Sequence, residues 1–498
     1  MELIHIVENF TPLQDPYLLR KAELLKPVLR HETVFPESLP EAPLGKGDST
    51  VIDFGTYLTG RVSLSFGYTG SHPDAPAHIG LFFAENVREL SKDPAAYHGW
   101  VSSSWIQDER LHLDILPANV DLPRRYSFRY LRITVLDTSP KYRLTVKRVS
   151  CVTETSASPE ALKPYTAPEP LLQRIYDAGL LTLRNCMQDV FEDGPKRDRR
   201  LWLGDLRLTA LANYASYRNT DLVKRCLYLF AGSRFPDGRI SAAVFHTPEA
   251  EADDTCLTDY SLLFPVVLEE YLRETGDTEA LEDLYGTAMQ QMEISLGCVG
   301  KDGRVLPEAV RDAFFDWAQE LDRTACTQAV LVYALRYAAC LAERKGDRTK
   351  KTHFDAMARN LSAAARTHFL DPETGFYLSN GQLSAASQIW MVLAGVSGGA
   401  EARALMKKTG TILDRVPMTT PYIRHYYTEA LLKTGLLREA LEEICAYWGS
   451  MVLSGLDTLP EVWDPADPDA SPYDGSIINS GCHAWCCTPV YLLKQITP

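Results

Sequence analysis

The sequence lacks the features of a membrane protein and of a nucleic-acid-binding protein. No segment approaches the run of about 18 consecutive apolar residues that a membrane-spanning helix needs. The net charge is −14 over 498 residues, and no stripe of lysine and arginine offers a surface for phosphates. The N-terminal segment has no basic region followed by an apolar run, so no secretory signal is expected. We therefore predict neither a membrane nor a nucleic acid as partner, and a cytoplasmic location.

Cysteine is present but forms no disulfide pattern. Eleven cysteines, an odd number, are scattered mostly singly through apolar segments, which is typical of buried thiols in a reducing compartment. The exception is GCHAWCC at 481–487, which contains three cysteines and His483. With no second CxxC and no histidine pair at helical spacing, we predict no metal site there. His483 is then either a hydrogen-bond donor to a ligand or a histidine of the core.

Motifs for nucleotide cofactors and for a serine nucleophile are also absent. The sequence contains no Walker loop, no GxGxxG after a strand and no GxSxG. We predict no cofactor.

Hydrophobic periodicity changes near residue 160 and divides the chain in two. In GRVSLSFGY, Val62, Leu64 and Phe66 alternate with small residues, which is the period of a half-buried strand. Similar short segments separated by Pro- and Gly-rich turns predict an antiparallel β-sandwich over residues 1–160. From residue 165 onward the period is helical, and about a dozen helices fill 165–498.

The helices are joined pairwise by short turns, several of which share a stop signal. RETGD, ERKGD and LKTG each place a glycine just after the last apolar residue. No period of 34 or 40 residues recurs, which favours a closed (α/α)6 barrel over a solenoid. The last expected helix is 481–495. Long polar loops between successive hairpins should gather at one mouth of the barrel; they are 190–204, 232–257, 297–323, 370–384, 409–421 and 452–480.

The first of these loops, EDGPKRDRRLWLGD at 192–205, concentrates charges around one tryptophan. Asp193, Asp198 and Asp205 are candidates for binding a polar ligand, and Trp202 has no role in a simple surface cluster of ion pairs. Two other interpretations remain open. Asp205 is a favourable N-cap for the next helix, and the remaining acids could pair with neighbouring arginines.

The last loop contains Glu461, between a proline and a valine and close to a tryptophan. Alone it is compatible with an ordinary turn residue. If the helices close into a ring, however, the first and last loops are neighbours, and Asp198 and Glu461 can face each other across a cleft. Two opposed carboxylates are the requirement of glycoside hydrolysis.

Two further loops place an aspartate beside an aromatic residue, a combination that suits a sugar with polar and apolar faces. These pairs are Asp316 with Trp317 and Asp259 with Tyr260. Tyr260 at the start of a helix is equally compatible with the core.

At these residues the chain resembles glycoside hydrolase family 78, the α-L-rhamnosidases. Three segments carry the resemblance, in the same order and at similar spacing. They are matched by Asp193, Pro195, Arg197, Asp198, Arg200, Trp202, Gly204 and Asp205; by Gly455, Thr458 and Glu461; and by Ser480, His483, Ala484 and Trp485.

The resemblance implies a six-hairpin glycosidase domain behind a β-sandwich, and an inverting exo-acting enzyme. Asp198 would be the general acid and Glu461 the general base, about 6.5–9.5 Å apart. Asp193 and Asp205 would bind sugar hydroxyls, and Arg197 would bind sugar or an adjacent carboxylate. The residues implied to line the subsite for the cleaved sugar are Trp202, Trp317 and His483. The expected substrate is a terminal α-L-rhamnosyl group, or a similar one, on a small glycoside or oligosaccharide.

The sequence differs from the family pattern at Asp198, the residue implied to be the general acid. Family members commonly carry glutamate where this chain has Asp198, one methylene shorter. A catalytic acid must hold its proton near neutrality. The like charge of Asp193 would help Asp198 to keep its proton, whereas Arg197 and Arg199 would favour loss of that proton if they point at Asp198.

Three other functions stay open at this stage: another inverting (α/α)6 glycosidase, a phosphorylase, or a non-catalytic sugar-binding protein on the same fold. The acidic character of 455–470 favours water over phosphate as the nucleophile. An oligomer is possible.

Overall fold

Two main hydrophobic cores divide the molecule, one enclosed by a β-sheet and one by helices. The structure is a computed structural model that describes residues 5, 6 and 10–497. The strands in chain order are β1 (His5–Ile6), β2 (Leu13–Gln14), β3 (Arg30–Val34), β4 (Ser49–Gly70), β5 (Ala77–Ala84), β6 (Asp108–Leu113), β7 (Ala118–Asp121), β8 (Tyr126–Asp137), β9 (Tyr142–Thr155), β10 (Leu201–Trp202), β11 (Ser233–Arg234), β12 (Ala243–Phe245), β13 (Glu251–Ala252), β14 (Thr255–Cys256), β15 (Leu378–Ser379) and β16 (Gln382–Leu383).

The helices are α1 (Pro16–Leu24), α2 (Pro170–Cys186), α3 (Leu203–Ala215), α4 (Thr220–Gly232), α5 (Thr258–Thr275), α6 (Thr278–Gly297), α7 (Pro307–Arg311), α8 (Thr324–Lys345), α9 (Arg348–Phe369), α10 (Ala385–Leu393), α11 (Gly399–Thr409), α12 (Pro421–Lys433), α13 (Leu437–Leu453) and α14 (Pro489–Ile496).

The β domain is one antiparallel sheet built around a single long strand. Its order is β3-β9-β4-β8-β5-β6, and β7 pairs with β4 outside this path. The first part of β4 pairs with β8 and the second part with β9, with a register shift between Asp53 and Leu58. Gly55 lies in this irregular stretch with φ +77°, a conformation that favours glycine. The sheet encloses its own apolar core, and the prediction of an N-terminal antiparallel β-sandwich is confirmed in that the N-terminal domain is β-rich.

The helical domain is a closed double ring. Within residues 10–497, the inner helices are α3, α5, α8, α10, α12 and α14, and the outer helices are α4, α6, α9, α11, α13 and α2. The last helix, α14, packs against α2 and α3, the first two of the domain. The predicted (α/α)6 barrel is therefore confirmed, and ring closure brings the first and last long loops together.

Two-residue turns explain why the helices form hairpins. Gly276 ends α5 and Gly346 ends α8, both in the left-handed conformation. The aspartate that follows each glycine then caps the next helix, because Asp277 accepts from the backbone N–H of Ala280 and Asp347 from that of Lys350. The Gly-Asp pair thus ends one helix and starts its antiparallel partner.

One helix is long and apolar enough to cross a membrane by length and composition alone. This is α8, of which 83% of the apolar window is buried inside the protein. It belongs to the inner ring, so its apolar character is accounted for by the core of the barrel.

The N-terminal segment differs from the prediction that residues 1–160 form a β domain. Helix α1 packs on α4, and β2 pairs with β11 of the helical domain. Leu18 and Ala22 are buried in the barrel core, and this burial holds the segment against the helical domain instead of the sheet. The predicted range also includes residues 1–4 and 7–9, which lie outside the described residues.

The expected helix 481–495 is wrong in its first half, because α14 begins only at Pro489. The backbone N–H of His483 donates to the carbonyl of Leu459 (2.9 Å), and that of Ala484 donates to the carbonyl of Asp193 (2.6 Å). These bonds tie the segment to the first and last loops instead of to a helix.

Candidate active site

A cavity of about 560 Å³ opens at the mouth of the barrel, and the β domain forms part of its wall. All eight residues singled out from the sequence line it: Asp193, Arg197, Asp198, Trp202, Asp205, Trp317, Glu461 and His483. Loops 370–384 and 409–421, which were expected at the same mouth, contribute none of the cavity's lining residues. Of the six long loops, the first, second, third and last therefore contribute to the cavity, together with the β domain.

Asp193 organises the loop that carries Asp198. Its carboxylate accepts the backbone N–H of Arg200 (3.0 Å) and of Asp198 (3.4 Å). A side chain at Gly194 would place its Cβ 2.3 Å from the carbonyl oxygen of Arg197, so this tight turn requires glycine. Burial, together with the like charge of Asp198, raises the pKa of Asp193 well above its usual range.

Arg197 joins the two opposed carboxylates. One terminal nitrogen pairs with Glu461 and the other lies 3.5 Å from Asp198. Its Nε donates to the carbonyl of Ile478 (3.0 Å), which fixes the plane of the guanidinium. Burial works against the charge, but Glu461, then Tyr473 and Asp198, hold the pKa of Arg197 well above its usual value. The arginine thus holds carboxylates, the second of the two roles expected from the sequence.

Glu461 is held on both oxygens. Arg197 donates to one and the hydroxyl of Tyr473 donates to the other, while the ring of Tyr473 stacks under the guanidinium at 4.2 Å. The indole N–H of Trp485 donates to the backbone carbonyl of Glu461 (2.9 Å). Burial and the charge of Glu461 raise the pKa of Tyr473 well above its usual range, so its hydroxyl stays a donor.

Arg199 does not point at Asp198. Its guanidinium donates to the carbonyls of Pro195 and Arg125, each at 2.9 Å. Of the two arginines that were expected to oppose protonation of Asp198, only Arg197 is in contact with it.

Four buried polar atoms of cavity-lining residues have no hydrogen-bond partner among the described residues. They are Asp205 Oδ1, His483 Nδ1, Trp202 Nε1 and Trp317 Nε1. Buried polar groups are nearly always paired, so unpaired ones in a cavity indicate where a polar ligand binds. The set contains both donors and an acceptor, as sugar hydroxyls require.

Asp205 and His483 lie side by side, with 3.5 Å between Oδ1 and Nδ1. Asp205 lies in the first turn of α3, whose N-cap residue is Trp202, so the capping role considered for Asp205 is wrong. Burial and the carboxylates of Asp193 and Glu461 raise the pKa of Asp205 well above its usual range. Burial and Arg197 lower the pKa of His483, so its imidazole is neutral near pH 7.

The two aspartate–aromatic pairs are split between the cavity and the wall behind it. Trp317 and Tyr260 line the cavity. Asp316 instead accepts from the backbone N–H and hydroxyl of Thr419 (2.7 and 2.8 Å), and Asp259 accepts from the N–H of Phe314 (2.8 Å). These carboxylates position loops, and only the aromatic members of the pairs lie where a ligand binds.

Several lining residues were missed by the sequence analysis. Trp100, Val101 and Trp105 come from the β domain, and Tyr473 comes from the last loop. The aromatic residues of HGWVSSSW are the only signal in the β-domain segment, and no local pattern indicates that it reaches the barrel mouth.

No group of three or more His, Cys, Asp or Glu residues could hold a metal ion in the part of the chain that the structure describes. The thiols of GCHAWCC face the core, where Cys486 contacts Met451 and Cys482 contacts the carbonyl of Thr182.

Two family models match the chain. Residues 22–153 match the glycosyl hydrolase family 78 α-rhamnosidase N-terminal domain. Residues 165–496 match the bacterial α-L-rhamnosidase six-hairpin glycosidase domain. No curated protein sequence gives a significant match.

Solved structures of rhamnosidases share the fold of this chain. A rhamnosidase from Klebsiella oxytoca with rhamnose bound is 43% identical, with a TM-score of 0.94, over 98% of this chain and 100% of that one. The family 78 rhamnosidase of Bacillus sp. GL1 shares the fold at 22% identity and a TM-score of 0.75. The match to it covers 96% of this chain and 48% of that longer chain.

Proposed function

We propose that this chain, which belongs to the α-L-rhamnosidases of glycoside hydrolase family 78, is an inverting exo-glycosidase that removes a terminal α-L-rhamnosyl group. The observation that carries the proposal is the placement of Asp198 and Glu461 on either side of one guanidinium, in a cavity with unpaired polar atoms. Such a pair performs inversion when one carboxyl gives a proton and the other receives one.

Asp198 acts as the acid. It gives its proton to the glycosidic oxygen as the bond between that oxygen and the anomeric carbon breaks. Glu461 acts as the base and takes a proton from the water that attacks the opposite face of the anomeric carbon. Arg197 and Tyr473 hold Glu461 in one orientation, so the water has one position from which to attack. The products are the free sugar, with its anomeric configuration inverted, and the protonated aglycone.

The cleaved sugar lies among Asp193, Asp205, Trp202, Trp317 and His483. The unpaired atoms of this set bind its hydroxyls, and the aromatic rings contact its apolar parts. Rhamnose carries a methyl group where glucose carries CH2OH, so an aromatic wall suits it without leaving a hydroxyl unpaired. The relative that is 43% identical, whose structure contains rhamnose, supports this choice of sugar.

A small glycoside or oligosaccharide in the cytoplasm is the substrate we favour. The eleven cysteines are all free thiols, and eight of them are buried. Free thiols persist in a reducing compartment, which supports the location. Alkylation of the unfolded protein should modify eleven thiols without prior reduction.

A screen of aryl glycosides, led by the aryl α-L-rhamnoside, tests the proposal. NMR of the first-formed sugar should show the β-anomer of rhamnose before mutarotation. First formation of the α-anomer would overturn the inverting mechanism. Hydrolysis of a different glycoside in preference to the rhamnoside would overturn the choice of sugar. Absence of hydrolysis of every glycoside would favour the sugar-binding alternative.

A further inference from the structure

A buried cluster of polar side chains joins the β domain to the two loops that carry the opposed carboxylates. Its members are Tyr57, Glu85 and Glu89 of the β domain and Lys196 of the first loop. Each of the four is at most 5% exposed, and none of the four lines the cavity. Burial of charged groups is costly unless they are paired, and the proposed mechanism gives these groups no role.

The carboxylate of Glu85 is shared between the β domain and the barrel. One oxygen accepts the hydroxyl of Tyr57 (2.6 Å). The other accepts the backbone N–H of Gly481 (2.6 Å) and lies 3.1 Å from Lys196 Nζ. Lys196 also donates to Glu89 (3.0 Å). Glu85 thus fixes the first loop, and the segment 477–481 at the end of the last loop, to one point of the β domain.

Lys196 binds the same segment through its backbone. Its ammonium donates to the carbonyls of Ile477 and Asn479, each at 3.0 Å. The carbonyl between them, that of Ile478, accepts the Nε–H of Arg197 (3.0 Å). Two neighbouring side chains of the first loop therefore bind three consecutive carbonyls of the last loop, so the position of Lys196 constrains that of Arg197.

The segment 477–481 also fixes the backbone of Glu461. The backbone N–H of Glu461 donates to the carbonyl of Ser480 (3.0 Å), and the hydroxyl of Ser480 donates to the carbonyl of Arg197 (2.7 Å). The guanidinium of Arg197 pairs with Glu461 and lies 3.5 Å from Asp198. Hydrogen bonds and short backbone links therefore connect Glu85 to both opposed carboxylates.

We propose that Glu85 is a positioning residue for hydrolysis, supplied by the β domain. It holds Lys196 and the segment 477–481 in one arrangement, and this arrangement keeps Arg197 in place between the opposed carboxylates. The β domain is then a working part of the active site, because a displacement of about 1 Å at a reacting group can cost about a hundredfold in rate. This inference rests on the proposed function, since it assigns the carboxylates their roles.

The test replaces Glu85 and compares turnover with sugar binding. Glu85→Ala removes every contact of the carboxylate, so kcat for 4-nitrophenyl α-L-rhamnoside should fall about thirtyfold. The side chains that bind the sugar are retained, so the inhibition constant of free rhamnose should stay within about threefold of wild type. Circular dichroism across a thermal melt shows whether the variant is folded at the assay temperature, which separates lost positioning from lost protein.

Glu85→Asp is a milder variant of the same residue. It keeps a negative charge beside Lys196, but it is one methylene too short to reach both Tyr57 and Gly481. We expect kcat to fall about fivefold, again with little change in inhibition by rhamnose. This variant tests the proposal if the alanine variant does not fold.

Glu109→Ala is the matched control. Glu109 also accepts the hydroxyl of a buried tyrosine, Tyr126 (3.0 Å), and pairs with a basic residue, Arg124 (3.2 Å), but all three lie in the β domain. This variant should leave kcat within about twofold of wild type.

Wild-type kcat in a folded Glu85→Ala enzyme would overturn the inference. If that variant does not fold, wild-type kcat in Glu85→Asp would overturn it. An equal loss of kcat in Glu109→Ala, or a weakening of rhamnose inhibition as large as the fall in kcat, would also do so. A wild-type enzyme that hydrolyses no rhamnoside would instead refute the proposed function.

Discussion

Asp198 and Glu461 are both carboxylates in one cavity, but their surroundings differ. Glu461 is buried and receives one donor on each oxygen, from Arg197 and Tyr473. Asp198 is partly exposed, and Arg197, at 3.5 Å, is its nearest charged partner. The base therefore has one fixed orientation, as placing a single water requires. The acid keeps freedom to meet different aglycones and to recover its proton from solvent.

Replacement of the base should have the largest effect. Glu461→Gln keeps the shape of the side chain but removes the group that accepts the water's proton. We expect kcat to fall at least about a thousandfold, by a similar factor for good and poor leaving groups. Steady-state kinetics on a 4-nitrophenyl and a methyl rhamnoside measure this. A loss that depends strongly on the leaving group would show that Glu461 is not the base.

Replacement of the acid should give an effect that depends on the leaving group. Asp198→Asn removes the proton donor, which matters most when the departing oxygen is basic. We expect a loss of about a thousandfold for the methyl glycoside and only about tenfold for the 4-nitrophenyl glycoside. The same pair of substrates separates the two roles. Equal losses on both would remove the distinction between acid and base that the structure suggests.

The loop that carries Asp198 is anchored to the β domain by a buried charge. Lys196 pairs with Glu85 (3.1 Å) and Glu89 (3.0 Å), and burial raises the pKa of Glu89 to about 7. Lys196→Met leaves both carboxylates buried without their cation. We expect a loss of about 3–5 kcal/mol in unfolding free energy, seen as a lower Tm.

The exposed pair of Lys350 with Glu293, at 2.8 Å, is the matched control for this change. Lys350→Met should cost less than about 1 kcal/mol. If both substitutions change Tm equally, the buried pair does not anchor the loop. Addition of Glu89→Gln to Lys196→Met should recover part of the loss, because it removes one of the two unpaired charges.

Local sequence signals predicted the barrel well and the composition of its site only in part. The Gly-Asp turns at 276–277 and 346–347 set the hairpins from short-range chemistry, and ring closure then follows from pairwise packing of the helices. The fate of Asp316 was not predictable in this way, because its partner, Thr419, is 103 residues away. The same applies to Trp100, whose place at the cavity depends on the docking of two domains at Pro472.

The smallest expected effect concerns stability at a residue that we assign to sugar binding. Because the pKa of Asp205 is raised in the folded state, that state holds the proton more tightly than the unfolded chain. The resulting stability is present at low pH and is lost as pH rises from about 3.9 through the raised pKa.

Asp205→Asn stays neutral and avoids this loss. Relative to wild type, it should be equally stable near pH 4 and more stable at pH 8, while binding rhamnose more weakly. Measurement of Tm across this pH range tests the difference, with Asp414→Asn, at an exposed aspartate, as the control. If Asp205→Asn is less stable than wild type at pH 8, Asp205 is ionised and paired in the free enzyme.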